Sequence, residues 1–196
     1  MLSRVIVAID AANGRDPSYV DVDGVSKAAA LVYGERMSAV LAEFEPAAGI
    51  ALRIAARGQH IERWTIPRGS FAEGRIGYLS WRKALQHFHA RRLAEIVTAA
   101  GFDAAMAERV GQIVRKERMS SDADVQALED VACLVFLTHY LAPFAAAHDD
   151  KKLSGILAKT WRKMSTKAQQ SVLASPPPQR ILDLLAAGQA KLRPVA

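Results

Sequence analysis

The run LEDVACLVFLTHYL, from Leu128 to Leu141, restricts the fold of this chain more than any other stretch. Drawn as a helix it is apolar on nearly every face, as expected of a helix in the middle of a fold. Yet it carries Glu129 and Asp130 at one end and His139 toward the other. By helical spacing Asp130 shares a face with Leu134, Leu137 and Leu141, while Glu129 falls beside Val125, Ala132, Cys133 and Phe136. At least one carboxylate therefore points toward the core. Because an unpaired buried charge is costly, it needs an arginine, a metal ion or the positive end of the helix.

The remaining punctuation is helical. Leu2, Val5, Ile6 and Ile9 recur at helical spacing, although VIVAI also suits a strand, and Asn13-Gly14 supplies a helix end. A loop is expected over Arg15 to Gly24, then helices over about Ser26–Phe44 and Ala47–Trp64, with Ala51, Ala55 and Gly58 small enough to admit a close neighbour. TIPRGSFAEGRIG reads as a long loop, and Tyr78 to Ala100 as a helix closed by Gly101. Asp103 caps the next helix, which ends on the basic run RKER. Ser120 to Asp124 leads into the central helix. Further helices follow after HDDKK, near Thr166 to Leu173, and beyond the three prolines. The expected fold is all-α, one helical bundle of roughly seven to nine helices in a single domain over residues 1–196.

That length suits one domain with a real core. No apolar run approaches the roughly 20 residues that cross a bilayer, and Asp10 interrupts the N-terminal apolar segment, so a soluble cytoplasmic protein without membrane contact is expected. The single cysteine, Cys133, sits in the apolar run as a small buried hydrophobe. A net charge of +6 suits contact with phosphates, on a small molecule or nucleotide or on RNA, and suits a merely solvated surface equally.

Three constellations bear chemistry. His89 lies on the apolar stripe with Leu85, Leu93 and Ile96, and His60 ends a helix of small and apolar residues. With Asp130 from a third helix these are suitable ligands for Zn, Mn or Fe, which would activate water toward a phosphate ester. Each is equally a hydrogen-bonded core group. Arg57, Arg63, Arg68, Arg75, Arg82 and Lys83 crowd the long loop among Trp64, Phe71, Tyr78 and Trp81. Guanidinium forks and aromatic faces together suit a phosphate and a base, and the same arginines could simply pair with Glu62 and Glu73. Last, Glu129 or Glu62 could steer a water molecule.

The phrases YGERM, QHIERWTIPR, GYLSWRKALQHFHA, LEDVACLVFL and KTWRKMS, spread over nearly the whole chain, resemble the bacterial and fungal family called domain of unknown function 4202. More distantly, FHARRLAEIVTAAGFDAAMAERV and ALEDVACLVFL are similar to helices of the HD-type metal phosphohydrolases, which are all-α. That likeness implies an HD-like core with its last aspartate ligand at Asp130. Where those enzymes have adjacent histidine and aspartate, this chain has Gln59-His60, and no histidine stands near Tyr33 or Glu35. The resemblance thus implies a rearranged mononuclear site of His60, His89 and Asp130, with Glu35 as a further ligand. Glu129 or Glu62 would be the catalytic carboxylate, and Arg57, Arg63, Arg68, Arg82 and Trp81 would hold a phosphorylated small molecule or nucleotide. The alternative is a non-catalytic module that binds RNA or a nucleotide through the same arginines and aromatics.

Overall fold

The computed structural model describes residues 1–192 and is all-α in class, with ten α-helices among the described residues. Contacts gather the chain into two compact units, Met1–Leu128 and Glu129 onward. In the first unit, α1 (Leu2–Asn13) is followed by two short strands, β1 (Tyr19–Val22) and β2 (Val25–Ala28), then by α2 (Ala29–Phe44), α3 (Ile50–Gly58), α4 (Gly74–Ala99) and α5 (Ala104–Arg115). The next helix, α6 (Ala123–Val135), begins in this unit. The apolar segment near the N-terminus is thus a helix, with Val5 and Ile9 fully buried.

The strands are a correction to the expected loop. Tyr19 pairs with Ala28 and Val22 with Val25 across a two-residue turn at Asp23-Gly24, both with positive φ (53° and 81°). That is the geometry of the tight hairpin that Asp-Gly favours, so α2 starts three residues later than its apolar pattern suggests. Buried Asp16 ties hairpin and helix together, accepting hydrogen bonds from the Ser18 and Ala30 amides at 2.9 Å each. Helix α3 is also shorter than expected at its C-terminal end. Its ladder stops at Gly58, and Glu62 turns left-handed (φ 49°) with its amide donating to Asn13 Oδ1.

Small residues set the helix spacing. A Cβ on Gly58 would lie 2.4 Å from Leu93 Cδ2 of α4, and one on Gly34 of α2 would lie 2.8 Å from the Arg57 carbonyl oxygen. Arg57 itself grips Asp10 of α1 with two hydrogen bonds of 2.6 and 2.7 Å. The long loop before α4 is ordered by Arg68, whose guanidinium donates to the carbonyls of Phe71, Ala72 and Gly74. It folds back so tightly that a Cβ on Gly77 would sit 1.8 Å from the Ala72 carbonyl oxygen. Helix α5 starts where Asp103 accepts from the Met106 amide and packs on α4.

In the second unit, α6 passes into a π-helical turn (Phe136–Tyr140) and then α7 (Leu141–Ala146). Pro143 lacks the amide that would continue the regular ladder, and the π-helical turn lies just before it. The continuous stretch Ala123–Ala146 is long and apolar enough, by length and composition alone, to cross a membrane. Glu129 and Asp130 within it are nonetheless buried against protein partners. Then come α8 (Asp150–Lys163), capped by Asp149, α9 (Thr166–Ala174), capped by Ser165, and α10 (Gln179–Leu192). Leu141, Leu153, Leu157 and Ile181 form this unit's core.

Candidate anion-binding site

The turn from Gln59 to Glu62 that ends α3 is held from several sides. Tyr33 of α2 donates its hydroxyl to Gln59 Oε1 at 3.3 Å, and His89 of α4 takes the Ile61 carbonyl oxygen 2.8 Å from its Nδ1. Arg92 and Arg15 donate to the Glu62 carboxylate at 2.8 and 3.0 Å. Burial alone would raise the Glu62 pKa, but these hydrogen bonds outweigh it and hold the group below the usual carboxylate range. The fixed turn presents His60, whose ring stacks on Tyr33 at 4.6 Å between centroids and lies 5.9 Å from that of His89.

Between the imidazoles and the neighbouring helices lies a cavity of about 30 Å³, partly open to solvent. Leu85 and Val114 give it an apolar side. Gln59, Gln86 and the two histidines add uncharged polarity, and Arg63, Arg82 and Lys116 add positive charge. Among the described residues no carboxylate lines it. Arg63 lies with its guanidinium carbon 4.6 Å from the centre of the Trp81 ring, and Trp81 is anchored through Nε1 to the Ile66 carbonyl oxygen. Arg82 donates to the Tyr78 hydroxyl at 3.3 Å. Among the described residues neither Arg63 nor Arg82 meets a carboxylate. Arg63 is partly buried, and that burial together with the Arg82 charge lowers its pKa from the usual guanidinium value.

The same surroundings set the histidines. Burial pushes the pKa of His60 well below its ordinary value, and the charges of Arg63, Lys116 and Arg82 push it further. Burial brings His89 down to about 4 against the opposing pull of its bond to Ile61, so both imidazoles are neutral near pH 7. The Ile61 carbonyl only accepts, so His89 carries its proton on Nδ1. Its Nε2, buried in a residue 2% exposed, is a bare lone pair without a partner among the described residues.

Within the first unit the structure brings together His60, His89, Arg63 and Arg82, with Trp81 beside them, and the other expected site residues have partners of their own. Arg57 is committed to Asp10 and Arg68 to loop carbonyls. Glu62 is held by Arg92 and Arg15, and Glu35 faces Lys27 at 3.8 Å on the surface. In the second unit, the Asp130 carboxylate accepts from the Ser165 amide at 2.8 Å and its hydroxyl at 2.6 Å, so that it fixes the start of α9. Glu129 lies 3.3 Å from Lys163. Cys133 is buried, with Sγ 4.0 Å from the Thr160 carbonyl oxygen.

Among the described residues no group of three or more His, Cys, Asp or Glu side chains is placed to hold a metal ion. Two imidazoles beside three cations are a poor donor set for a divalent ion, because two ligands are few and the neighbouring positive charges repel it. They are a good one for an anion. Lys116 went unnoticed in the sequence except as part of the run RKER. It closes α5 in the left-handed conformation (φ 58°), a turn its sequence does not announce. Tyr33 and Gln59 were legible only as the residues standing where a histidine might have been.

The family described as Domain of unknown function (DUF4202) matches residues 3–185. No curated protein and no solved structure matches the chain.

Proposed function

Because the chain belongs to the DUF4202 family, whose description assigns no activity, we propose from its own residues that it binds a phosphorylated small molecule or nucleotide through a terminal phosphoryl group at the Arg63, Arg82 and Lys116 cavity. What carries this reading is the pair of partly buried guanidiniums, Arg63 and Arg82, that meet no carboxylate among the described residues. A desolvated arginine without a counter-ion is costly, and a phosphoryl group, which guanidinium forks match in shape and charge, removes that cost. A cavity of about 30 Å³ admits one or two oxygens rather than a whole ligand, so the rest of the molecule would stay at the mouth. There the half-exposed Tyr78 offers an aromatic face to a base.

An RNA-tracking surface is less well supported. Arg57 and Arg68, which would extend a basic stripe, are spent on Asp10 and on loop carbonyls. The metal-dependent hydrolase implied by the HD-like resemblance uses the same imidazoles, and the test separates it. Thermal unfolding would be followed with a nucleoside and its mono-, di- and triphosphates, with and without a chelator. Stabilisation by the phosphorylated compounds alone, unaffected by the chelator, is expected. Absence of any shift, or an equal shift from the nucleoside, defeats the reading. A shift or phosphate release that needs Zn, Mn or Fe replaces it with the hydrolase.

A further inference from the structure

Among the lining groups of the cavity, His89 Nε2 is a buried acceptor that meets no partner among the described residues. Arg63, Arg82 and Lys116 offer only donors, suited to the unprotonated oxygens of an anion. His89 Nε2 offers a buried lone pair, because the Ile61 carbonyl oxygen 2.8 Å from Nδ1 fixes the proton on the other nitrogen. Turning the ring would move the N–H away from that carbonyl and leave two buried groups unpaired instead of one. A lone pair facing a fully deprotonated oxyanion would meet another lone pair. Facing an oxyanion that keeps one proton, it would accept a hydrogen bond.

Resting on the phosphoryl-site reading above, we propose that His89 Nε2 accepts the hydrogen of a protonated phosphoryl oxygen and thereby makes the site selective for proton-bearing oxyanions. Phosphate and arsenate keep at least one proton at neutral pH. Sulfate and selenate, of similar tetrahedral shape, keep none. The site is complementary to both parts of such a ligand: the cations take the charged oxygens while His89 takes the hydroxyl. Among the described residues no acidic side chain lines the cavity to accept that hydrogen in its place. Phe88 meets the ring edge-on and offers no polar atom. The same feature would let the terminal phosphoryl of a monoester bind in its protonated form.

The test is isothermal titration of the full chain with phosphate, arsenate, sulfate and selenate, each to millimolar concentration, in low-salt buffer slightly above neutral pH. Phosphate and arsenate are expected to bind about tenfold or more tightly than sulfate and selenate, the discrimination that one unpaired buried acceptor commonly gives. A His89→Phe variant should close that gap, and should it fail to fold, the four-anion comparison in the unaltered chain decides by itself. Equal binding of all four overturns the role of His89 and leaves the phosphoryl site standing. Tight sulfate with weak phosphate also overturns it. Binding of none of the four sinks both.

Discussion

At the scale of single residues, the cavity depends on a few side chains that do not share roles. Arg63 meets no carboxylate among the described residues, so Arg63→Ala should leave the melting temperature nearly unchanged and weaken phosphoryl binding about tenfold or more. Glu62 is the reverse. It joins Arg15 and Arg92 and closes a left-handed turn, so Glu62→Ala should cost roughly 1–3 kcal/mol in denaturant unfolding. Acid sensitivity follows from His89. Its folded pKa of about 4 lies below the ordinary 6.5, so the unfolded chain takes up the proton first as pH drops. Stability from this group is complete above about pH 6.5 and is lost as pH falls toward 4, on the order of 3 kcal/mol. Glu62, depressed in the fold, adds a further loss below the normal carboxylate range. Unfolding measured across that range should show the decline, and His89→Gln should flatten its upper part.

At the scale of elements, close backbone approaches govern. Gly77→Ala would drive a Cβ into the Ala72 carbonyl, and a loss of about 1–3 kcal/mol is expected as the loop before α4 is pushed away. Asp130→Ala should cost roughly 2–4 kcal/mol by freeing the Ser165 amide and hydroxyl at the start of α9, whereas Asp130→Asn keeps one acceptor and should cost less. The helices with regular apolar spacing and a cap, such as α5 behind Asp103 and α9 near Thr166, were legible in the sequence. The hairpin reads instead as a loop: Asp23-Gly24 marks its turn, but its four-residue strands are too short for alternation to stand out beside a strong helical pattern. The end of α3 was not, because Gln59 to Glu62 continue the helical periodicity while tertiary bonds from Tyr33, Asn13 and His89 hold them in a turn.

At the scale of the whole molecule, the sequence foretold an all-α chain with a buried central helix, and it rightly required a partner for Asp130. That the partner is Ser165, 35 residues away, could not be read from spacing, since any arginine or metal ligand satisfied the same demand. The two histidines and two of the arginines of the candidate site were found by residue type. Which arginines were already paired depended on Asp10 and on loop carbonyls that only the fold brings near. A net charge of +6 would suggest diffuse attraction to polyanions. Three cations at one cavity instead predict a shallow salt dependence for a small phosphorylated ligand, which carries no condensed counterion atmosphere, and a steep logarithmic slope would indicate contact along RNA. The most direct measurement is isothermal titration of pyrophosphate into the unaltered chain, Arg63→Ala, Arg82→Ala and the exposed control Arg75→Ala. Saturable binding kept in the control and weakened about tenfold or more in both cavity variants is the predicted result. No binding to the unaltered chain, or equal binding to all four proteins, would contradict the assignment of this cavity.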